Sequence, residues 1–230
     1  RYQNEEGTKA VFEFVEACMK LYSDKKINPS DDIMSAWITA ESEGLKDGSD
    51  FGLDQIISDC LLLLDGGAET TRTVIARSML NLANSPTQWE LLKGGADLEI
   101  AVEEFIRYVT PIHNMCRVAT EDYSIHGKTI RKGDQVVLMY SSANRDPEKF
   151  TNPEALDISR NPNHHIAFGF GTHFCLGASL ARLEIKLFFE QLIERVENFA
   201  LAGNPVEMPN AFVYGLASCP MDLTPKASHV

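Results

Sequence analysis

The chain lacks any apolar run long enough to cross a bilayer: its longest candidate, residues 56–64, is interrupted by Ser58 and Asp59, and a span needs about 20 apolar residues in succession. It is also short of positive charge. Lys and Arg number 21 against 33 Asp and Glu, giving a net charge of −12 with the cations scattered, which argues against a phosphate-tracking surface and so against a nucleic-acid partner. Cysteine is sparse as well. Cys18, Cys60, Cys116, Cys175 and Cys219 are widely spaced and odd in number, with no C-x-x-C pair and no Cys/His group at finger spacing. That argues against a disulfide framework and a structural zinc site and favours reduced thiols in a cytoplasmic setting. Repeats and low-complexity tracts are likewise missing, and the residues at hand start straight into a helical pattern, so no targeting sequence is expected among them. What is present, 44% hydrophobic and 23% charged residues, is ordinary for a globular chain with room for one large domain or two small ones.

The first third is patterned for helices. Residues 9–22 place Val11, Phe12, Val15, Cys18 and Leu21 at helical spacing, and Ser30-Asp31-Asp32 offers an N-cap for a helix over 33–40. Asp50 precedes a long run, residues 51–84, so apolar through Ile56, Cys60 and Leu61 to Leu64 that a helix buried on most sides is expected. Asp65-Gly66-Gly67-Ala68-Glu69-Thr70-Thr71 then interrupts it with two glycines, an acid and two hydroxyls. Such a string either kinks a continuous helix or ends one at a glycine cap on Gly66. Ser85-Pro86 opens a further helix that Gly94-Gly95 ends, and residues 100–109 form another, carrying Glu104 and Arg107 three apart on one face. By itself that is an ordinary surface pair. From residue 113 to 138 the texture turns to strand-like alternation, and a small sheet is expected.

Residues 165–182, His-Ile-Ala-Phe-Gly-Phe-Gly-Thr-His-Phe-Cys-Leu-Gly-Ala-Ser-Leu-Ala-Arg, carry the strongest signal. Gly169 and Gly171 permit positive φ and the close approach of a large flat ligand, or simply a turn. Leu176, Leu180, Leu183, Ile185, Leu187 and Leu192 then supply the apolar face of a helix running to about residue 197, with Gly177 keeping its first turn slim. Cys175 thus falls at a helix start, where free N–H groups favour a thiolate, the form a metal ligand must take. The competing reading is a buried structural cysteine after a tight turn. His164 and His165 are taken as loop residues.

The string Phe168-Gly-x-Gly-x-His-x-Cys-x-Gly-x-x-x-Ala-Arg182 resembles the haem-binding signature of the cytochrome P450 family. The resemblance implies a mainly α fold with a small β region, of which this chain is the C-terminal part, as one incomplete domain. Residues 1–110 would be helical and include the distal oxygen-activating helix, 111–160 β-rich and irregular, 161–200 the haem-cysteine loop and proximal helix, and 201–230 C-terminal β. It implies haem b, with Cys175 as the axial iron ligand, Phe168 shielding the thiolate, Gly169, Gly171 and Gly177 lining the approach, and His173 and Arg117 on the propionates. Arg117 alone would be no more than an exposed strand arginine. Gly66-Gly67-x-Glu69-Thr70-Thr71 resembles the family's distal segment, where by resemblance Glu69 and Thr70 relay protons to dioxygen. That acid–alcohol pair is typically missing from P450-like peroxygenases. Glu104-x-x-Arg107 resembles the family's buried acid–base pair, normally completed by a later arginine, yet the expected position holds Ala155; Arg145 and Arg160 are the candidates to replace it. Gly66, Ile112, Met115 and Val213 fall where the family lines its substrate pocket, though plain core packing would place them equally well.

By this resemblance the chain is a monooxygenase that inserts one oxygen atom into a small apolar substrate, with electrons drawn ultimately from NAD(P)H through a ferredoxin or flavoprotein reductase. Asn114-Met-Cys-Arg-Val, Arg160-Asn-Pro-Asn and the haem loop look most like actinobacterial P450s that oxidise sterol side chains. The alternatives are a truncated non-catalytic fragment and a haem-binding sensor; the Glu69–Thr70 pair speaks against the sensor, because binding a gas needs no proton relay.

Overall fold

The computed structural model describes residues 5–44 and 51–227, so Asp50 lies outside the described residues. The protein is mainly helical with short strands, and it divides into two compact units, Arg1–Gly66 and Gly67–Val230.

In the first unit α1 (Glu5–Ile27) and α2 (Ile33–Glu43) follow the expected pattern, each extending past the predicted ends. Asp32 caps α2 by accepting the Ser35 N–H at 2.8 Å, a contact typically worth about 1 kcal/mol. Tyr22, Met34 and Ile56 form a small core with Trp37, Phe51 and Cys60 packed on it. The next helix, α3 (Leu53–Ala83), runs without interruption through Gly66 and Gly67, and neither glycine adopts positive φ, so Gly66 is not a cap. Burial of α3 also departs from expectation. Leu61 to Leu64 are exposed, Leu62 at 69%, because α1 and α2 cover only the face that carries Ile56 and Cys60.

The second unit contains the rest of α3, then α4 (Pro86–Lys93) and α5 (Leu98–Val109). Pro86 opens α4 at a position whose N–H needs no partner, and Asp97 caps α5 through the Glu99 and Ile100 N–H groups. Four strands come next, β1 (Asn114–Val118), β2 (Tyr123–Ile125), β3 (Lys128–Ile130) and β4 (Gln135–Met139). Rather than one small sheet they make two antiparallel ribbons, β1 with β4 and β2 with β3. A two-residue turn joins β2 to β3, with His126 and Gly127 both at positive φ, the geometry that suits a strand's right-handed twist.

A single turn, α6 (Tyr140–Ala143), precedes the irregular segment that leads to a short 3-10 turn at Gly171–His173 and then α7 (Ala178–Arg195). Strands β5 (Val196–Leu201) and β8 (Met221–Pro225) pair, as do β6 (Val206–Glu207) and β7 (Leu216–Ser218). The helix therefore gives way to strand at Val196, just before the predicted end. Its buried face is Ala178, Ile185, Phe189 and Leu192, whereas Leu176, Leu180, Leu183 and Leu187 are exposed. The core of this unit joins Val74 and Leu82 of α3 to Trp89, Val102, Phe105, Ile106, Ile158, Phe189 and Phe199. Phe105 meets Phe189 with ring centroids 4.6 Å apart, which ties α5 to α7.

Candidate functional site

Cys175 lies in the turn between the 3-10 segment and α7, two residues ahead of Gly177, the N-cap of α7. Its N–H donates to the Phe168 carbonyl at 2.9 Å and its carbonyl accepts the Ala178 N–H at 3.3 Å, so the backbone on both sides of the thiol is fixed. The residue is exposed, which removes the reading of a buried structural cysteine. Gly169 and Gly171 have φ of 73° and 71°, a region that side-chain-bearing residues rarely enter. A Cβ at Gly169 would meet the His173 carbonyl at 3.5 Å and the Tyr140 hydroxyl at 3.6 Å. At Gly171 and Gly177 no described atom lies within 4 Å of where a Cβ would be.

Around this turn stand apolar side chains turned outward, Phe170 at 87%, Leu176 at 92% and Phe174 at 51% exposure. His173, also exposed, closes the 3-10 turn. Arg117 is half-buried on β1, its Nη1 on the Cys116 carbonyl at 2.9 Å. Among the described residues no group of three or more His, Cys, Asp or Glu is placed to hold a metal ion. A metal bound to Cys175 would thus bring its other ligands with it. One soft sulfur donor, an apolar lip and glycines that leave the approach open fit a flat iron macrocycle such as haem.

The loop is braced from behind. Arg182 of α7 holds Glu103 of α5 through Nε at 2.5 Å and Nη2 at 3.0 Å, and its guanidinium lies 4.5 Å from the Phe168 ring centroid. His165 adds a 3.0 Å contact from Nε2 to the same carboxylate. Burial alone would raise the Glu103 pKa; the hydrogen bonds from His165 and Arg182 and the charge of Arg182 outweigh it and bring it down to about 2. His165 is therefore a loop residue whose ring is buried and bonded to Glu103.

Beside this brace, Glu104 and Arg107 are fully buried and joined by two parallel bonds of 2.8 Å. Arg160 is the arginine that reaches Glu104, at 3.1 Å, while Arg145 pairs with Glu154 and donates to the Tyr108 carbonyl. Ala155 still takes part, through its carbonyl, which accepts from both Arg107 and Arg160 at 3.3 Å. Asn163 and the Asp157 N–H also donate to the Glu104 carboxylate, at 3.1 and 3.0 Å. Asn144, fully buried, links this network to the cysteine loop. Its carbonyl accepts from Arg107 at 2.7 Å and its Oδ1 takes the Ile166 N–H at 2.8 Å.

Glu69 and Thr70 lie in α3, both half-buried. Arg72 donates to Glu69 Oε2 at 2.5 Å, while Oε1 is buried with no hydrogen-bond partner among the described residues. The structure brings two of the pocket candidates together, because Ile112 and Val213 form an antiparallel bridge. Met115 is half-buried on β1 opposite Leu138, and Gly66 is the last residue of the first unit. A cleft of about 490 Å³ opens on another face of α3, lined by Thr71, Ile75, Met79, Phe188, Cys219 and Met221 among others, and it includes neither Cys175 nor Thr70. Patterning overlooked Asn144, Glu103 and Arg77. Helical spacing sets Arg77 on the same face of α3 as Thr73 and Val74, which are buried with it, but leaves its distant partners unread.

A thiol on a glycine turn at the foot of a helix and a buried Glu-x-x-Arg pair, linked through Asn144, are the features on which the resemblance to a haem-thiolate protein rests. Residues 98–220, more than half of the chain, match the cytochrome P450 family model. The chain belongs to the cytochrome P450 family. It is 40% identical over 217 residues to the steroid C26-monooxygenase of Mycolicibacterium smegmatis, covering 93% of this chain and 53% of that protein. It is 35% identical over 227 residues to the linalool 8-monooxygenase of Pseudomonas putida, covering 98% and 55%. The crystal structure of CYP109E1 from Bacillus megaterium in complex with testosterone superposes with a TM-score of 0.84 at 34% identity, covering 94% of this chain and 60% of that one. The chain thus spans about half the length of the curated relatives it matches.

Proposed function

We propose that this chain is the C-terminal part of a haem-thiolate monooxygenase that inserts one atom of dioxygen into a C–H bond of a small apolar molecule, with a sterol side chain as the favoured substrate. The observation that carries this is Cys175, exposed and held by backbone bonds on both sides within a left-handed glycine turn. Haem b, when bound, supplies the iron that activates dioxygen and carries the oxidising power for C–H attack. Cys175 Sγ would hold the iron, Phe168 would shield the sulfur, Gly169, Gly171 and Gly177 would line the approach, and Arg117 and His173 would bind the propionates.

Glu69 and Thr70 form the proton relay in this reading. Arg72 holds Glu69 Oε2 and leaves Oε1 facing the interior, so the carboxylate can take a proton at one oxygen while anchored by the other, and the Thr70 hydroxyl can pass it on. Glu104 and Arg107 fix the backbone that carries the cysteine loop. The sterol assignment draws support from the named activity of the mycobacterial relative and the testosterone bound to the Bacillus megaterium structure. Electrons would come from NAD(P)H through a ferredoxin or flavoprotein reductase, in the cytoplasm.

The test is the absorption spectrum of the reduced, carbon-monoxide-bound protein. The expected result is the red-shifted Soret band of thiolate ligation in the parent and its loss in Cys175→Ala. Haem uptake with an unshifted band, or a shifted band that survives the substitution, overturns the assignment of Cys175.

A further inference from the structure

The last loop of the chain is fastened to α3 by a side chain outside every motif. Arg77 is buried and sits about two turns beyond Glu69. Its Nε donates to the Tyr214 carbonyl and its Nη2 to the Glu207 carboxylate, and Nη2 also reaches the Gly215 carbonyl at 3.1 Å. The guanidinium lies over the Tyr214 ring, its central carbon 3.1 Å from the centroid. One planar fork therefore meets three acceptors and an aromatic face at once, which an ammonium cannot do.

All of these contacts fall on residues 207–215. The segment is closed at its base by β6 and β7, with the Met208 N–H on the Gly215 carbonyl at 3.2 Å. It is laid along the chain that leaves α5: the His113 N–H donates to Phe212 and the Tyr214 N–H to Pro111, each at 2.9 Å, with the Ile112–Val213 bridge between them. Its approach to α3 is close. A Cβ at Gly215 would stand 3.1 Å from Glu69 Oε1 and 2.9 Å from Met208 Cε. The His113 ring packs at a tilt against Tyr214, centroids 4.9 Å apart, and burial, followed by the charges of Arg77 and Arg145, pushes it toward its neutral form.

We propose that Arg77 is a positioning residue of the ligand site: by fastening Glu207, Tyr214 and Gly215 to α3 it fixes the Ile112–Val213 wall and seats Gly215 against the relay carboxylate of Glu69. The proposal rests on the monooxygenase reading and deepens it, since Ile112 and Val213 are pocket-wall residues and Glu69 a relay residue only within that reading. Without the fork, residues 207–215 lose their hold on α3, and their backbone bonds, Met208 to Gly215 and Tyr214 to Pro111, open more often. The wall then shifts while the cysteine loop, which Arg77 does not touch, stays as it is.

Two azoles separate these effects in the haem-loaded protein. Imidazole needs only access to the iron, whereas 4-phenylimidazole also needs the apolar wall. Arg77→Met is expected to weaken 4-phenylimidazole about tenfold while imidazole binding stays within about twofold and the carbon-monoxide band per haem is unchanged. Arg77→Lys recovers part of the loss, and Glu207→Gln, which leaves the two carbonyl contacts in place, costs less than Arg77→Met. Hydrogen exchange at the Met208 and Tyr214 amides is expected to quicken about tenfold in Arg77→Met. Unchanged 4-phenylimidazole binding with unchanged exchange overturns the proposal. Equal weakening of both azoles, or loss of the carbon-monoxide band, reduces Arg77 to a general fold-stabilising residue and overturns it too. Should the parent protein fail to take up haem, the monooxygenase reading falls, and the exchange measurement still decides whether Arg77 fastens the loop.

Discussion

Thr70 and Glu103 show how much a single side chain is asked to do. If Thr70 passes protons, Thr70→Ala removes the hydroxyl without disturbing haem or ligand binding. Product formation is then expected to fall by up to about 100-fold, with the electrons consumed appearing as hydrogen peroxide. Measuring peroxide and product per NAD(P)H oxidised checks this, and unchanged coupling would remove Thr70 from the relay. Glu103 governs a different property. Its folded pKa of about 2 lies below the ordinary value of 4.5, so between those two values the unfolded chain binds more protons than the folded one. The contribution of Glu103 is thus complete above about pH 4.5 and fades as the pH falls toward 2. Glu103→Gln is expected to flatten the acid limb of a Tm-against-pH profile in that window and leave its slope near neutrality alone. An unchanged acid limb would mean that Arg182 and His165 do not discriminate between the two states of the carboxylate.

At the scale of elements, α5 divides its work by face. Ala101, Val102, Phe105, Ile106 and Val109 enter the core, while Glu103, Glu104 and Arg107 tie the cysteine loop and the irregular segment to it. Removing one partner from a buried pair leaves a charge without compensation, at a cost of about 3–5 kcal/mol. Arg107→Met is expected in that range by urea unfolding, and Arg160→Met to cost less, because Glu104 would keep Arg107, Asn163 and the Asp157 N–H. Equal losses would place Arg160 on the same footing as Arg107. The helices were legible in the sequence because their signals are local: Asp32, Pro86 and the apolar stripe of α5 act within a turn of themselves. The Cys175 string was legible through its resemblance to a family signature, whose positions all lie in one continuous stretch. Burial was not legible for Leu61 to Leu64 or for Leu176, Leu180, Leu183 and Leu187, since periodicity marks which residues share a face and not whether anything packs on it. Nor was the arginine that reaches Glu104, because the choice between Arg145 and Arg160 depends on how an irregular chain returns to α5. Arg77 escaped for the same reason, its partners lying 130 to 138 residues away.

At the scale of the whole molecule, the second unit, Gly67–Val230, contains the cysteine loop, the Glu69–Thr70 pair, the Glu104 network and the Arg77 fastening. Its strands form only two-stranded ribbons, so much of what holds the irregular stretches in place is arginine. Arg107 and Arg160 bind the carbonyl oxygens of Asn144, Thr151, Asn152, Pro153 and Ala155. They recognise the course of the main chain there and ignore the side chains it carries. These contacts do not depend on the side chain that a residue such as Ala155 carries, whereas Ile158, buried in the core, and Asn144, whose Oδ1 takes the Ile166 N–H, stay constrained. What the segment cannot absorb is a change in length. Deleting or inserting one residue between Asn144 and Arg160 would move each carbonyl off its guanidinium, so drift in this region is expected to run through substitutions and not through gaps.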